Sequence, residues 1–320
     1  MRQAPQAEAA FLAEHLVRYG DLIPCTTAFI DTRTPGSQEK ENFTIIGPGV
    51  AENPDQHVHI KRPHGFNIGG ARQPPHCVNS QHSHDTAEVF VVLSGRWSFT
   101  TGEHGKDGAV EIGPGDTISL PTKCFRGFEN VGDEPGFLFA VLGGDDPGRV
   151  LWAPYVFENA TNYGLVLLDD GQLIDTAAGE VVPQDATPMP VTSADDVAQL
   201  QQLDSAALQT CVVSHSTVSR SARQRIISDA GEGLLPPAGL VWEHGFTLDY
   251  WQLPPASEAA LAPASGSQVL MVFSGRADVL VNNQRVSLAA GDVFSVPENT
   301  QAQLHNSGQD GCELFYVERA

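Results

Sequence analysis

Short apolar runs alternate along the chain with clusters of Gly, Pro, Asn and Asp, the pattern of β-strands divided by tight turns. FTIIGPG (43–49) and VFVVLSGRWSFTTG (89–102) show it: strand-length, rich in β-branched and aromatic residues, and closed by glycine. Helical spacing appears at the start, where residues 5–19 place Phe11, Leu12, His15, Leu16 and Tyr19 on one stripe and Gly20 offers a stop. LVLLDDGQLID (165–175) reads as a hairpin turning at Asp169-Asp170-Gly171. Ser193, followed three residues later by Asp196, is a capping-box pair that opens a helix through DVAQLQQL. These elements predict an all-β protein with a short N-terminal helix and a helical connector.

The pattern repeats. VVLSGRWSF (91–99) aligns with MVFSGRADV (271–279), and GDTISLP (115–121) with GDVFSVP (291–297), at offsets of 180 and 176. Asn130 then falls on Asn306, and a shorter hairpin loop in the second copy (NNQ against EHGKDG) accounts for the changed offset. Matched blocks at a near-constant separation indicate a duplicated domain. The expected division is an N-terminal helix and arm (1–39), a first β-domain (40–150), a connector with hairpin and helix (151–214) and a second β-domain (215–320).

Composition agrees and narrows the partners. At about 150 residues per domain, 320 residues suit two domains. A formal charge of -21, from 18 Lys+Arg against 39 Asp+Glu, excludes a phosphate-backbone binder and opposes docking on anionic lipid. The first residues lack the apolar stretch of a signal peptide, and no run reaches the ~18 residues of a membrane span. Five scattered cysteines, never in CxxC spacing, fit free thiols in a reducing compartment. A cytoplasmic protein is expected.

The candidate chemistry lies in the first copy, in His82-Ser83-His84-Asp85-Thr86-Ala87-Glu88. Histidines at i and i+2 leave the same face of a strand, which suits a shared metal ion. Glu88 would lie ~13 Å along a straight strand, beyond the reach of the same ion unless the chain bends, and Asp85-Thr86 tolerates a bend. Two imidazoles and a carboxylate form the donor set of mononuclear non-haem iron, which manganese, nickel and zinc also accept.

The frame H-x-H-x3-E-x6-G, met by His82, His84, Glu88 and Gly95, resembles the first motif of the cupin superfamily. G-x5-P followed by Asn, met by Gly115, Pro121 and Asn130, resembles the second. With the degenerate second copy, the chain resembles a two-domain cupin. That resemblance implies two small antiparallel β-barrels of jelly-roll type (double-stranded β-helix), each able to hold a site inside it. The departures matter as much. Arg126 stands where the resemblance expects a metal-binding His. In the second copy Ala262, Ala264, Gln268 and Ala302 occupy the four ligand positions, so no metal is expected there by this route.

Arg126 has no lone pair to give a metal. It either anchors an anionic substrate beside an ion held by His82, His84 and Glu88, or pairs with Glu88 and replaces the ion. Cys124 and Phe128 share its face on a regular strand; Cys124 reads mainly as a small buried apolar residue, with a ligand or oxidation-sensitive thiolate as the alternative. His57 and His59 repeat the HxH spacing without the Glu-x6-Gly frame and read as loop histidines. His64 and His76 read as hydrogen-bonded structural residues, and Trp97 as core packing or a pocket wall. No chemistry is assigned to His244 or Trp251, and the sequons at Asn42 and Asn159 carry no meaning in a cytoplasmic chain.

The expected function is a metal-dependent enzyme acting on a small organic acid, with an Fe(II) dioxygenase as the leading reaction. A metal-dependent lyase or isomerase, or a non-catalytic small-molecule-binding or structural protein, is the alternative. The expected partner is a small, anionic substrate, and the resemblance, through the pairing of barrel edge strands between subunits, implies a second copy of the chain as well.

Overall fold

Turn chemistry and β-branched runs dominate the sequence, and strands dominate the computed structural model, which describes residues 3–146, 148, 150–228, 242–306 and 308–320. Two antiparallel jelly-roll barrels result, each built from two facing sheets. In the first, a seven-stranded sheet runs Val212–Val213, Thr117–Leu120, Glu88–Ser94, Gly136–Gly143, Phe66–Gln73, Glu41–Ile46, Val58–Ile60. Its partner is the five-stranded sheet Val150–Trp152, Val78–His84, Arg126–Asn130, Trp97–Thr101, Gly108–Ile112. The second barrel repeats this with six-stranded and four-stranded sheets. The pairing of Val58–Ile60 with Glu41–Ile46 is parallel, against the antiparallel expectation, and it puts His59 on a strand rather than in a loop.

The N-terminal helix spans Gln3–His15 and the chain then turns extended at Leu16–Val17, earlier than the periodicity predicts. The hairpin forms as Leu165–Leu167 against Leu173–Asp175. Ser193 and Asp196 make the reciprocal capping box, but the helix stops at Ala198, and a second short helix, Ser205–Gln209, follows.

The two arms are exchanged. Leu16–Val17, before the first barrel, extends a sheet of the second by pairing with Val293 and Phe294. Val212–Val213, before the second barrel, extends a sheet of the first by pairing with Thr117 and Ile118. The repeated Gly-Asp explains the docking. Asp292 Oδ1 accepts the Tyr19 backbone N–H at 3.0 Å, and Asp116 Oδ1 accepts that of His215 at 2.8 Å. A Cβ on Gly291 would lie 2.6 Å from the Tyr19 ring, and one on Gly115 2.6 Å from the His215 ring; both glycines have positive φ, so the close approach excludes side chains there.

The seven-stranded and six-stranded sheets bury one shared core, including Phe66, Phe137, Phe246, Met271 and Phe315. Across it, His64 Nε2 meets Ser295 Oγ at 2.7 Å and His244 Nε2 meets Ser119 Oγ at 2.8 Å. Asn130 and Asn306 are structural: the buried amide donates to two carbonyls in the first and three in the second, and each accepts a nearby glycine N–H. All five cysteines are free thiols. No helix among the described residues is long and apolar enough to cross a membrane.

Candidate metal centre

His82 and His84 end the strand Val78–His84 and share a face; the chain bends over Asp85–Ala87, and the next strand opens on Glu88. The bend abolishes the straight-strand separation: one ligand atom from each of His82, His84 and Glu88 lies within 4.8 Å of the others. All three residues are buried. His82 Nδ1 sits 2.8 Å from the Ser80 carbonyl, which can only accept, so that nitrogen carries the proton and Nε2 keeps its lone pair. Such an orienting bond is the usual companion of a metal-bound imidazole. His84 Nε2 lies 3.6 Å from Glu88 Oε2, and its Nδ1 is buried without a partner.

Burial pushes His82 down to about 3, and the Arg126 charge adds to the effect. Burial first, then Arg126 and His82, holds His84 well below the ordinary imidazole range. Both rings are therefore neutral at pH 7, the form that donates to a metal. Burial pushes the Glu88 carboxyl up against the opposing pull of Arg126. A cation at this point would relieve that cost, so the donor set fits one divalent transition metal.

Arg126 opens its strand directly across from His82 and is completely buried. Its Nη2 and Nε donate to Glu88 Oε2 at 3.0 and 3.3 Å, and Nη1 donates to the Cys124 carbonyl at 3.3 Å. The ion pair occupies one Glu88 oxygen, and a carboxylate has two, so pairing and metal binding are compatible. Burial raises the Cys124 thiol to about 11, leaving it an uncharged core group.

A cavity of about 70 Å³ adjoins the triad, walled by Phe29, Phe43, Phe90 and Trp152 with Asn42 and Asn79 among them. Neither Arg126 nor Trp97 lines it; Trp97 packs in the core with its indole N–H on the Ser94 carbonyl. The sequence reading missed Phe29, Asn42, Asn79 and Trp152. Trp152 pairs with His82 in the ladder, a contact from distant sequence that no motif announces. Asn79 has the wrong parity for the His82 face. A register shift, with Arg126 opposite His82 but Phe128 opposite Asn79, inserts one residue and brings it round.

The remaining candidates lie elsewhere. His59 Nε2 accepts the Ile23 N–H, His76 is exposed beside Glu129, and His64 and His244 bridge the barrels. An identical His-Gly-Phe at 64–66 and 244–246 could have revealed that last pair from sequence. In the second barrel Gln268 donates to the Ala262 carbonyl at 3.3 Å, and the interior is filled by Leu270, Phe294, Leu304 and Tyr316. Among the described residues, His82, His84 and Glu88 form the one cluster able to hold a metal.

The cupin domain model matches the chain twice, over residues 71–142 and 249–318. No curated protein matches it by sequence. Among solved structures it is similar to an oxalate decarboxylase from Lactobacillus farciminis in a formate complex (TM-score 0.57, 13% identity, 95% of this chain and 86% of that one). It is also similar to a salicylate 1,2-dioxygenase from Pseudoaminobacter salicylatoxidans with gentisate (TM-score 0.55, 17% identity, 95% and 80%). At these identities the likeness speaks for the fold. With one cupin domain in each half and whole-chain similarity to proteins of this architecture, the chain is a two-domain cupin.

Proposed function

We propose that the first barrel holds one divalent transition metal through His82, His84 and Glu88 and acts on a small organic acid. An O2-dependent, Fe(II) dioxygenase-type reaction is the leading reading. The observation that carries it is the convergence of three buried donors within 4.8 Å beside a cavity. Bound there, such an ion supplies Lewis acidity and open positions for substrate oxygens and O2.

The chain's own residues do the rest. The Ser80 carbonyl fixes the His82 tautomer, and the aromatic wall keeps water from the reacting face. Arg126, its donors engaged by Glu88 and Cys124, acts as a positioning residue that favours an ionised Glu88. In this reading the ion-pair role stands in place of that of substrate anchor. The same Lewis acidity would serve a lyase or isomerase, and the solved relatives include a decarboxylase as well as a dioxygenase.

Oxygen uptake by iron-loaded protein over a panel of aromatic and diketo acids tests the reaction class. Uptake matching acid consumption, abolished by His84→Ala, is expected. Acid consumption without oxygen uptake would move the reading to a lyase or isomerase. The Arg126–Glu88 pair favours one second reading, a metal-free binding barrel, for which ligand affinity would be indifferent to a chelator.

A further inference from the structure

The cavity wall is unevenly equipped. Its charged or metal-directed groups, His82, His84 and Glu88, are gathered at one place, and no Lys or Arg lines it among the described residues. Most polar groups of the other side chains on the wall are already engaged. Asn67 donates to the Gly144 carbonyl at 2.7 Å and accepts from Gly49 N–H at 3.1 Å. Asn79 accepts from Lys40 Nζ at 3.0 Å, and the Thr44 hydroxyl donates to Gln56. The Asn42 amide nitrogen has no partner, and that of Asn79 meets only the protonated His82 Nδ1, at 3.4 Å. The rest is hydrocarbon and aromatic.

We infer that the site selects 2-oxo or 2-hydroxy monocarboxylates with an apolar remainder, and discriminates against dicarboxylates. This rests on the metal reading above. The carboxylate and its neighbouring oxygen would meet the ion, where opposite charge offsets their desolvation. A second carboxylate would be stripped of water against Phe29, Phe43, Phe90 and Trp152, with only the neutral Asn42 and Asn79 amides as compensation. The formal charge of -21 also disfavours the approach of a dianion over a monoanion.

The test is a matched pair sharing one chelating head and one chain length, 2-oxopentanoate and 2-oxoglutarate. Each is titrated calorimetrically into the intact protein after its metal content has been measured. The expected result is one metal per chain and 2-oxopentanoate binding at least about tenfold more tightly. Metal-loaded protein that binds 2-oxoglutarate equally or better, or binds neither acid, overturns this inference and leaves the metal reading standing. Protein without metal removes that reading and this inference together. Asn42→Lys, checked for folding by circular dichroism, places a cation on the wall and should narrow the gap several-fold; an unchanged gap in the folded variant would also contradict it.

Discussion

Arg126 carries a full charge with none of its side chain exposed to solvent, and Glu88 is what makes that tolerable. Removing one partner of a buried pair leaves the other uncompensated, typically at about 3–5 kcal/mol. Arg126→Ala should therefore destabilise chelator-treated protein by that order in urea denaturation. The loss should be smaller with metal present, because the ion then supports Glu88. Equal losses with and without metal would separate Arg126 from the metal site. The triad itself was legible because its residues are close in sequence and strand parity keeps His82 and His84 together. The partner of Arg126 was not, since a guanidinium 38 residues along the chain from Glu88 can turn to a substrate or a carboxylate with the same sequence. Asn79 was hidden by the one-residue register shift.

At the scale of elements, helix and strand were readable where local signals agree, as in the Ser193–Asp196 capping box and the Asp169-Asp170-Gly171 turn. Where an arm docks is a long-range property. Leu16–Val17 is an unremarkable pair until Val293 and Phe294, far along the chain, accept it. Asp292 is the hub of that exchange. It accepts the Tyr19 and Ala289 backbone N–H groups at 3.0 Å each and pairs with Arg18 at 2.6 Å. Asp292→Ala orphans partly buried donors and should cost about 1 kcal/mol. The check is a thermal melt: a lowered Tm is expected, and an unchanged Tm would show that the arm contributes nothing to the second barrel's stability.

At the scale of the molecule, the shared core and exchanged arms join two barrels into one folding unit, so a single unfolding transition is expected. Its pH dependence follows from buried histidines. Burial lowers His244 to about 4, below its unfolded value of about 6.5, so the folded state favours the neutral ring. Stability is then full above pH 6.5 and falls as pH drops toward 4, where the unfolded chain binds the extra proton. Melts from pH 8 to 5 should show that fall, and His244→Asn should flatten part of it; a flat wild-type profile would contradict the burial of these rings as neutral groups. The two barrels differ in what fills them: polar donors and a cavity in the first, packed side chains in the second. The sequence foresaw that asymmetry from Ala262, Ala264, Gln268 and Ala302, and it fixes a stoichiometry. Elemental analysis of untagged protein from iron- and manganese-supplemented medium should find close to one transition metal per chain, and almost none in His82→Ala. Wild-type protein without metal, or with two per chain, would contradict a single centre at His82, His84 and Glu88.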